Sequence, residues 1–128
     1  MTRSHHFVLT LGSNTDAEAH IAFVREELLT FPHCSLHFST PRLSAPVEFA
    51  LSSALFTDVV VVGDTYEELT TFADRLKDLE RRAGRTPEQR AMTPEQIPID
   101  IDLISWDDLI LKPRDLSRPY LHLGLREL

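Results

Sequence analysis

Leu55-Phe56-Thr57-Asp58-Val59-Val60-Val61-Val62 is the most strand-like run of the chain, and Gly63-Asp64 after it reads as a turn. Consecutive β-branched side chains stack well on a pleated surface and crowd a helix, so this run predicts a strand. Beyond it, Leu69, Phe72, Leu76, Leu79 and Ala83 recur at three, four, three and four, one face of an amphipathic helix. Arg81 and Arg82 fall in its last turn, where cations favour the dipole, and Gly84 sits just past the end. Before the central run, residues 40–54 hold Pro41 and Pro46 among small and polar residues and read as a loop. Ser35-Leu36-His37-Phe38-Ser39 alternates as a short strand. Earlier still, Phe7-Val8-Leu9-Thr10-Leu11 alternates as a first strand that Gly12-Ser13-Asn14 breaks. Thr15-Asp16-Ala17-Glu18 has the form of a capping box, and Ile21, Val24, Leu28 and Phe31 continue it as a helix that Pro32 helps to end.

On the C-terminal side, residues 85–98 carry Pro87, Pro94 and Pro98 and no sustained apolar period, which predicts a flexible lid loop. Ile99 to Trp106 follows as a fourth strand, and Leu121-His122-Leu123-Gly124-Leu125 as a short terminal element. The order is β-α-β-β-α-β. Two split βαβ units of this kind predict an α+β, ferredoxin-like sandwich, an antiparallel sheet with two helices on one face. One domain spanning 1–128 is expected from the length.

Composition narrows the function classes. Hydrophobic residues at 42% and charged residues at 26% are those of a globular domain. With 13 Lys+Arg against 20 Asp+Glu the net charge is −7, which repels phosphate backbones and anionic lipid. Cys34 is the sole cysteine, so an internal disulfide and a multi-cysteine zinc site are out. The histidines show no metal-ligand spacing: His33 and His37 would be neighbours only on a helix, which Pro32 argues against. The start, Met1-Thr2-Arg3-Ser4-His5-His6, leads into only five residues of apolar pattern, and no run approaches the roughly 18 residues of a membrane span. A leaderless, cytoplasmic protein is the expectation.

Ile99-Asp100-Ile101-Asp102-Leu103 is the sharpest chemical feature. On a strand, alternate residues share a face, so Asp100 and Asp102 project together about 6.5–7 Å apart. Ile99, Ile101 and Leu103 then turn towards the helices. Hard oxygen ligands at this spacing suit Mg²⁺ with a bound polyphosphate. The plain alternative is a solvated sheet face carrying two acids. Leu11-Gly12-Ser13-Asn14 could set amides near an anion, but lacks the lysine and second glycine of a P-loop; a turn with a cap is its ordinary meaning.

In order along the chain, Leu11-Gly12-Ser13-Asn14, Ser39-Thr40-Pro41, Glu80-x-x-x-Gly84-Arg85, Ile99-Asp100-Ile101-Asp102-Leu103 and Arg118-x-Tyr120 resemble the hydroxymethyldihydropterin pyrophosphokinases of folate synthesis. The likeness runs from about residue 7 to the C-terminus, and that family's fold is ferredoxin-like. It implies ATP-dependent transfer of pyrophosphate to the hydroxymethyl group of a reduced pterin, releasing AMP. It also implies that Asp100 and Asp102 hold two Mg²⁺ ions and that Arg85 and Arg118 lie near the phosphates. Glu80 and Leu103 fall with Arg85 and Arg118 at the nucleotide site. Phe56 and Tyr120 match the two aromatic rings that sandwich the pterin, with Thr40, Pro41 and Leu43 beside it. Asp58 stands where the family usually has Asn, and a carboxylate can accept from both the amino group and the ring N–H of a pterin. The implied partners are the pterin and ATP, with neither nucleic acid nor membrane, and a monomer is the default.

Several family residues have no match. The second loop arginine, the Trp and Arg ahead of the D-x-D, and the Pro-His before Arg118 are missing. Residues 85–98 supply only Arg85 and Arg90. The Trp106–Arg118 segment is short, Arg42 replaces a second proline, and the chain ends without an extra tail. A second expectation therefore stands beside the first: a non-catalytic relative binding pterin or nucleotide as a sensor or partner subunit. An RNA-binding module on this fold is excluded, because its sheet face would carry Asp100 and Asp102 and the aromatic signature is absent.

Overall fold

The computed structural model describes residues 3–47 and 49–128, so Met1 and Thr2 of the expected leaderless start and Glu48 of the expected 40–54 loop lie outside it. β1 (His5–Ser13) runs through the middle of the sheet, antiparallel to β4 (Phe56–Thr65) on one side and to β5 (Asp100–Trp106) on the other. β2 (Cys34–Phe38) and β3 (Arg42–Ser44) pair one after the other along the outer edge of β4. β6 (Leu109–Ile110) closes the far edge against β5, giving the order β2-β4-β1-β5-β6. Two long helices, α1 (Ala17–Leu28) and α2 (Leu69–Arg82), cover one face. This is a ferredoxin-like α+β architecture with an antiparallel sheet.

Alternation places the core. Phe7, Leu9 and Leu11 of β1, Val59 and Val61 of β4, and Ile101 and Leu103 of β5 meet Ile21, Val24 and Leu28 of α1 and Phe72, Leu76 and Leu79 of α2. The intervening residues face the other way and form a second, smaller cluster of Val60, Ile104 and Leu121. A register shift opposite Val8 and Leu9 adds one residue to β5. Ile104 follows the alternation of Asp100 and Asp102 into the second cluster, while the extra residue returns Trp106 to the main core.

Several elements depart from the sequence expectations. Gly63-Asp64 is not a turn: β4 continues to Thr65. A Cβ on Gly63 would meet the Ser35 carbonyl oxygen at 2.1 Å and the Phe7 ring at 2.7 Å, so the missing side chain serves close packing. β1 likewise runs on to Ser13. The capping box does not form. Asp16 enters α1 at φ 44 without a side-chain cap, which displaces Thr15, whose carbonyl instead accepts from the Ser13 hydroxyl at 3.0 Å.

The expected 40–54 loop contains β3, because the sheet edge is interrupted rather than ended at Ser39-Thr40-Pro41. There the Ser39 amide donates to the Val60 carbonyl, and the Ser39 hydroxyl accepts from the Val60 N–H, both at 2.8 Å. Residues 85–98 are not structureless either: α3 (Pro87–Met92) starts where the Thr86 hydroxyl accepts from the Gln89 N–H at 3.1 Å. Finally, the terminal element is α4 (Pro119–Glu127), entered through a 3-10 turn over Pro113–Ser117. Its Leu121 packs in the second cluster, so α4 lies on the sheet face opposite α1 and α2. α1 and α2 take one face together as expected, and α4 adds a helix on the other. No helix among the described residues is long and apolar enough to cross a membrane.

Candidate active site

The site forms where α4 leaves the second face of the sheet uncovered. Across β1, Gly12 pairs with Asp100 on one side and with Asp58 on the other, and Thr10 pairs with Asp102. The three carboxylates consequently share one face. Gly12 keeps the floor between them low: a Cβ there would stand 3.4 Å from Asp58 Oδ1 and 3.7 Å from the Phe56 ring. Above this floor lies a cavity of about 260 Å³. Phe56 and Asp58 from β4, Arg85 from beyond α2, Asp100 and Asp102 from β5, and Arg118 and Tyr120 from the start of α4 all line it.

Its charges are close but not locked together. Arg85 Nε lies 3.6 Å from Asp100 Oδ1, Arg118 Nε 3.6 Å from Asp115 Oδ1, and Lys112 Nζ 4.0 Å from Asp102 Oδ1. Arg85 Nε is buried and has no hydrogen-bond partner among the described residues. A buried donor left unmet costs free energy that an anionic oxygen entering the cavity would recover. Burial pushes the Asp100 carboxyl above its ordinary range, with Arg85, then Arg90 and Lys112, opposing. Burial also raises Asp102, helped by repulsion from Asp100 and opposed chiefly by Lys112. Glu80 is raised by burial while the bond from the Ile101 N–H, at 2.7 Å, pulls it down.

Asp58 is almost fully enclosed, and its Oδ2 accepts from the Ser44 hydroxyl of β3. Burial raises this carboxyl too, against the Ser44 bond. The Tyr120 phenol is pushed up to about 12, by burial first and then by Asp58, Asp115 and Asp102, so its O–H stays protonated at neutral pH. The cavity thus offers two aromatic faces and an enclosed acceptor at one end, and acids with loosely paired cations at the other.

A divalent cation fits this donor set. Among the described residues no group of three or more His, Cys, Asp or Glu side chains could hold a metal ion. Asp100 and Asp102 are two hard oxygen donors on one face, which is what Mg²⁺ takes from a protein when a polyphosphate and water supply its other ligands.

Of the residues singled out from sequence, Phe56, Asp58, Arg85, Asp100, Asp102, Arg118 and Tyr120 come together here. Thr40, Pro41, Leu43, Glu80 and Leu103 do not line this cavity. The Thr40 amide and hydroxyl both donate to Glu127 Oε1 at 2.5 Å. Pro41 sits in the gap between β2 and β3. Leu43 lines a separate apolar cavity beyond Tyr120, shared with Leu123. Glu80 braces β5 from the helix side through the Ile101 N–H. Leu103 belongs to the main core, so its side chain faces away from the acids.

Other residues went unrecognised in the sequence. Thr10 and Gly12 share the face of the acids by simple alternation along β1, a signal that was available. Lys112 and Asp115 had none, because only the turn after β6 brings them near β5. Asn14 serves the neighbouring segment: its amide nitrogen donates to the Glu95 carbonyl at 3.0 Å, and its oxygen accepts from the Ile97 N–H at 2.6 Å. The stretch expected to be free as a lid is therefore tied at its C-terminal half to the end of β1.

A family model described as 7,8-dihydro-6-hydroxymethylpterin-pyrophosphokinase (HPPK) matches residues 8–128. Among curated proteins no match is found. The solved structures that match include the Bacillus subtilis YXEP protein, described as a dinuclear metal binding peptidase from the M20 family, at 10% identity and a TM-score of 0.37. That alignment covers 86% of this chain and 27% of the peptidase, and a likeness of this size carries no argument.

Proposed function

The chain belongs to the 7,8-dihydro-6-hydroxymethylpterin-pyrophosphokinase family, and on that premise we propose that it transfers pyrophosphate from ATP to the hydroxymethyl group of 6-hydroxymethyl-7,8-dihydropterin, releasing AMP. The observation that carries this reading is the convergence of Phe56, Asp58, Tyr120, Arg85, Arg118, Asp100 and Asp102, scattered over more than half the chain, around one cavity. The hydroxymethyl oxygen attacks the β-phosphorus, and the bond from that phosphorus to the α–β bridging oxygen breaks, so the bridging oxygen leaves with AMP. Such transfers need alignment and charge neutralisation more than covalent help from the protein.

Each side chain has a role in that task. Phe56 and Tyr120 stack on the flat pterin, and Asp58 accepts from its N–H edge while Ser44 holds the carboxylate in place. Asp100 and Asp102 would hold two Mg²⁺ ions, which would supply charge neutralisation to the polyphosphate. Arg85, with its unmet Nε–H, and Arg118 receive phosphate oxygens. Glu80 positions β5 from behind, and Leu103 contributes no more than its backbone to the nucleotide edge. Thr40, Pro41 and Leu43 border the pterin side without entering the cavity. On this reading the protein works in the cytoplasm as one domain.

AMP release from ATP, Mg²⁺ and the hydroxymethyldihydropterin is the test. Wild-type turnover, with Asp100→Asn and Asp102→Asn each reduced about 10²–10³-fold or more, is expected. Undiminished turnover in those variants would overturn the assignment. Pterin binding in calorimetry with no AMP release by the wild type would favour the non-catalytic alternative.

A further inference from the structure

Glu127 ends α4 at the place where an acid is least welcome, because the last turn of a helix presents unpaired carbonyls and negative dipole. Three donors offset this. The Thr40 amide and hydroxyl reach Oε1 at 2.5 Å each, and Arg42 Nη2 reaches Oε2 at 2.7 Å. Arg42 also donates from Nη1 to the Thr40 carbonyl at 3.3 Å, closing a ring of polar contacts.

The position of this ring matters more than its count of bonds. Thr40 lies in the gap between β2 and β3, where its N–H has no strand partner. Two residues later β3 begins, pairing Arg42 with Asp58, Leu43 with Thr57 and Ser44 with Phe56. β3 therefore backs the Phe56–Asp58 wall of the cavity and supplies the Ser44 hydroxyl to Asp58. The other wall, Tyr120 and Arg118, stands about two turns back along α4 from Glu127. A nine-residue helix is too short to hold itself in water. α4 is seated by Leu121 in the second cluster and by Gly124 against Val60. Beyond Gly124, its last turn is held to the sheet edge by Glu127.

We infer that Glu127 is a positioning residue for the acceptor half of the site: it joins the wall bearing Phe56, Asp58 and Ser44 to the wall bearing Tyr120, and so sets the slot between the two rings. The effect on catalysis rests on the reading of this cavity as the pterin site; the mechanical coupling of the two walls does not. Of the nucleotide half, β5 and Arg85 lie on the far side of β1 from this joint, and Arg118 precedes α4, where Asp115 of the 3-10 turn pairs with it at 3.6 Å independently of Glu127. Loss of Glu127 should therefore separate the two substrates.

The test uses the full chain carrying Glu127→Ala or Glu127→Gln, with Glu67→Gln as a control that loses the Arg75–Glu67 pair away from the cavity. Hydrogen exchange and steady-state kinetics are read on each. Glu127→Ala is expected to speed exchange at the amides of residues 42–44 and 120–124 while α1 and α2 stay as in the wild type. It should raise the pterin KM and Kd about tenfold, with the ATP KM and kcat within about twofold of wild type. Glu127→Gln, which keeps an oxygen for Thr40, should recover most of the difference, and Glu67→Gln should change neither substrate. Faster exchange confined to residues 125–128 would overturn the coupling. Parallel rises in both KM values would overturn the positioning role in favour of general loosening. If the wild type neither binds pterin nor releases AMP, the proposed function falls, and the exchange pattern alone decides the coupling.

Discussion

Along β5, Ile101 and Leu103 are only 8% and 9% exposed against the helices. Asp100 and Asp102, one residue out of step on the same strand, leave 40% and 41% of their side chains open on the other face. β1 repeats the contrast, with Phe7, Leu9 and Leu11 sealed on one side and Thr10 and Gly12 flooring the cavity on the other. The covered face is redundant, since α1, α2 and four strands all contribute to one core. The second face has a three-residue cluster under a short helix, and next to it an open cavity where acids outnumber the arginines beside them. One face stabilises the fold. The other holds groups whose burial opposes their ionisation, and that arrangement is useful only to a ligand that supplies the missing counter-charge.

Breaking the comparison on the acidic side should give the largest effect. Asp100→Asn or Asp102→Asn should cost activity about 10²–10³-fold or more while leaving thermal stability unchanged or raised, since each removes a carboxylate that burial disfavours, with repulsion from Asp100 adding to it at Asp102. Enzyme assay and calorimetric melting on the same samples check both halves. Leu103→Ala, one residue further along β5, should do the reverse, losing about 2–5 kcal/mol in denaturant titration through a core cavity.

A milder break comes from the seat of α4. A Cβ on Gly124 would stand 2.3 Å from Val60 Cγ2, so Gly124→Ala must lift the helix or shift Val60. Overpacking of this kind costs about 1–3 kcal/mol, seen as a lower Tm together with weaker pterin binding, because Tyr120 moves with the helix. The smallest effect sharpens rather than breaks the contrast. Asp58→Asn keeps an acceptor for Ser44 but removes a charge whose burial raises its pKa above the ordinary 3.8. A raised carboxyl pKa makes the native state bind the proton more tightly, so the ionised Asp58 weighs against folding at neutral pH. The variant should therefore melt slightly higher than wild type at pH 7. That gap should close as the pH falls through the raised pKa and then below 3.8, where Asp58 is neutral in both states. Melting curves across that range check it.

Much of this was legible before any coordinates. The two-residue period of β1 and β5 put the acids on one face, and the three-four spacing of Leu69 to Leu79 drew α2 correctly, because such patterns record burial directly. Elements without their own pattern escaped. β3 is three residues long and exists because β4 offers an unpaired edge. α3 buries none of its residues and depends on the Thr86 cap. Gly63 imitated a turn because glycine signals both turns and close packing, and only the Phe7 ring lying over it tells them apart. Thr15 failed as a cap because one left-handed residue, Asp16, moved it out of reach.

The candidate site divides the same way. Residue types and spacing named the D-x-D pair, which resides on a strand with a strong local signal, while both rings and two arginines were named only by the family resemblance. Glu127 and Thr40 are 87 positions apart, and Lys112 faces Asp102 only after the turn through β6. Sequence alone determined which face each strand residue takes and hence where the carboxylates point, because alternation is a property of one strand. Tertiary structure decided which walls meet, where α4 lies and what Glu127 joins. Those contacts depend on strand register and on chain closure over long separations, and no local period records either.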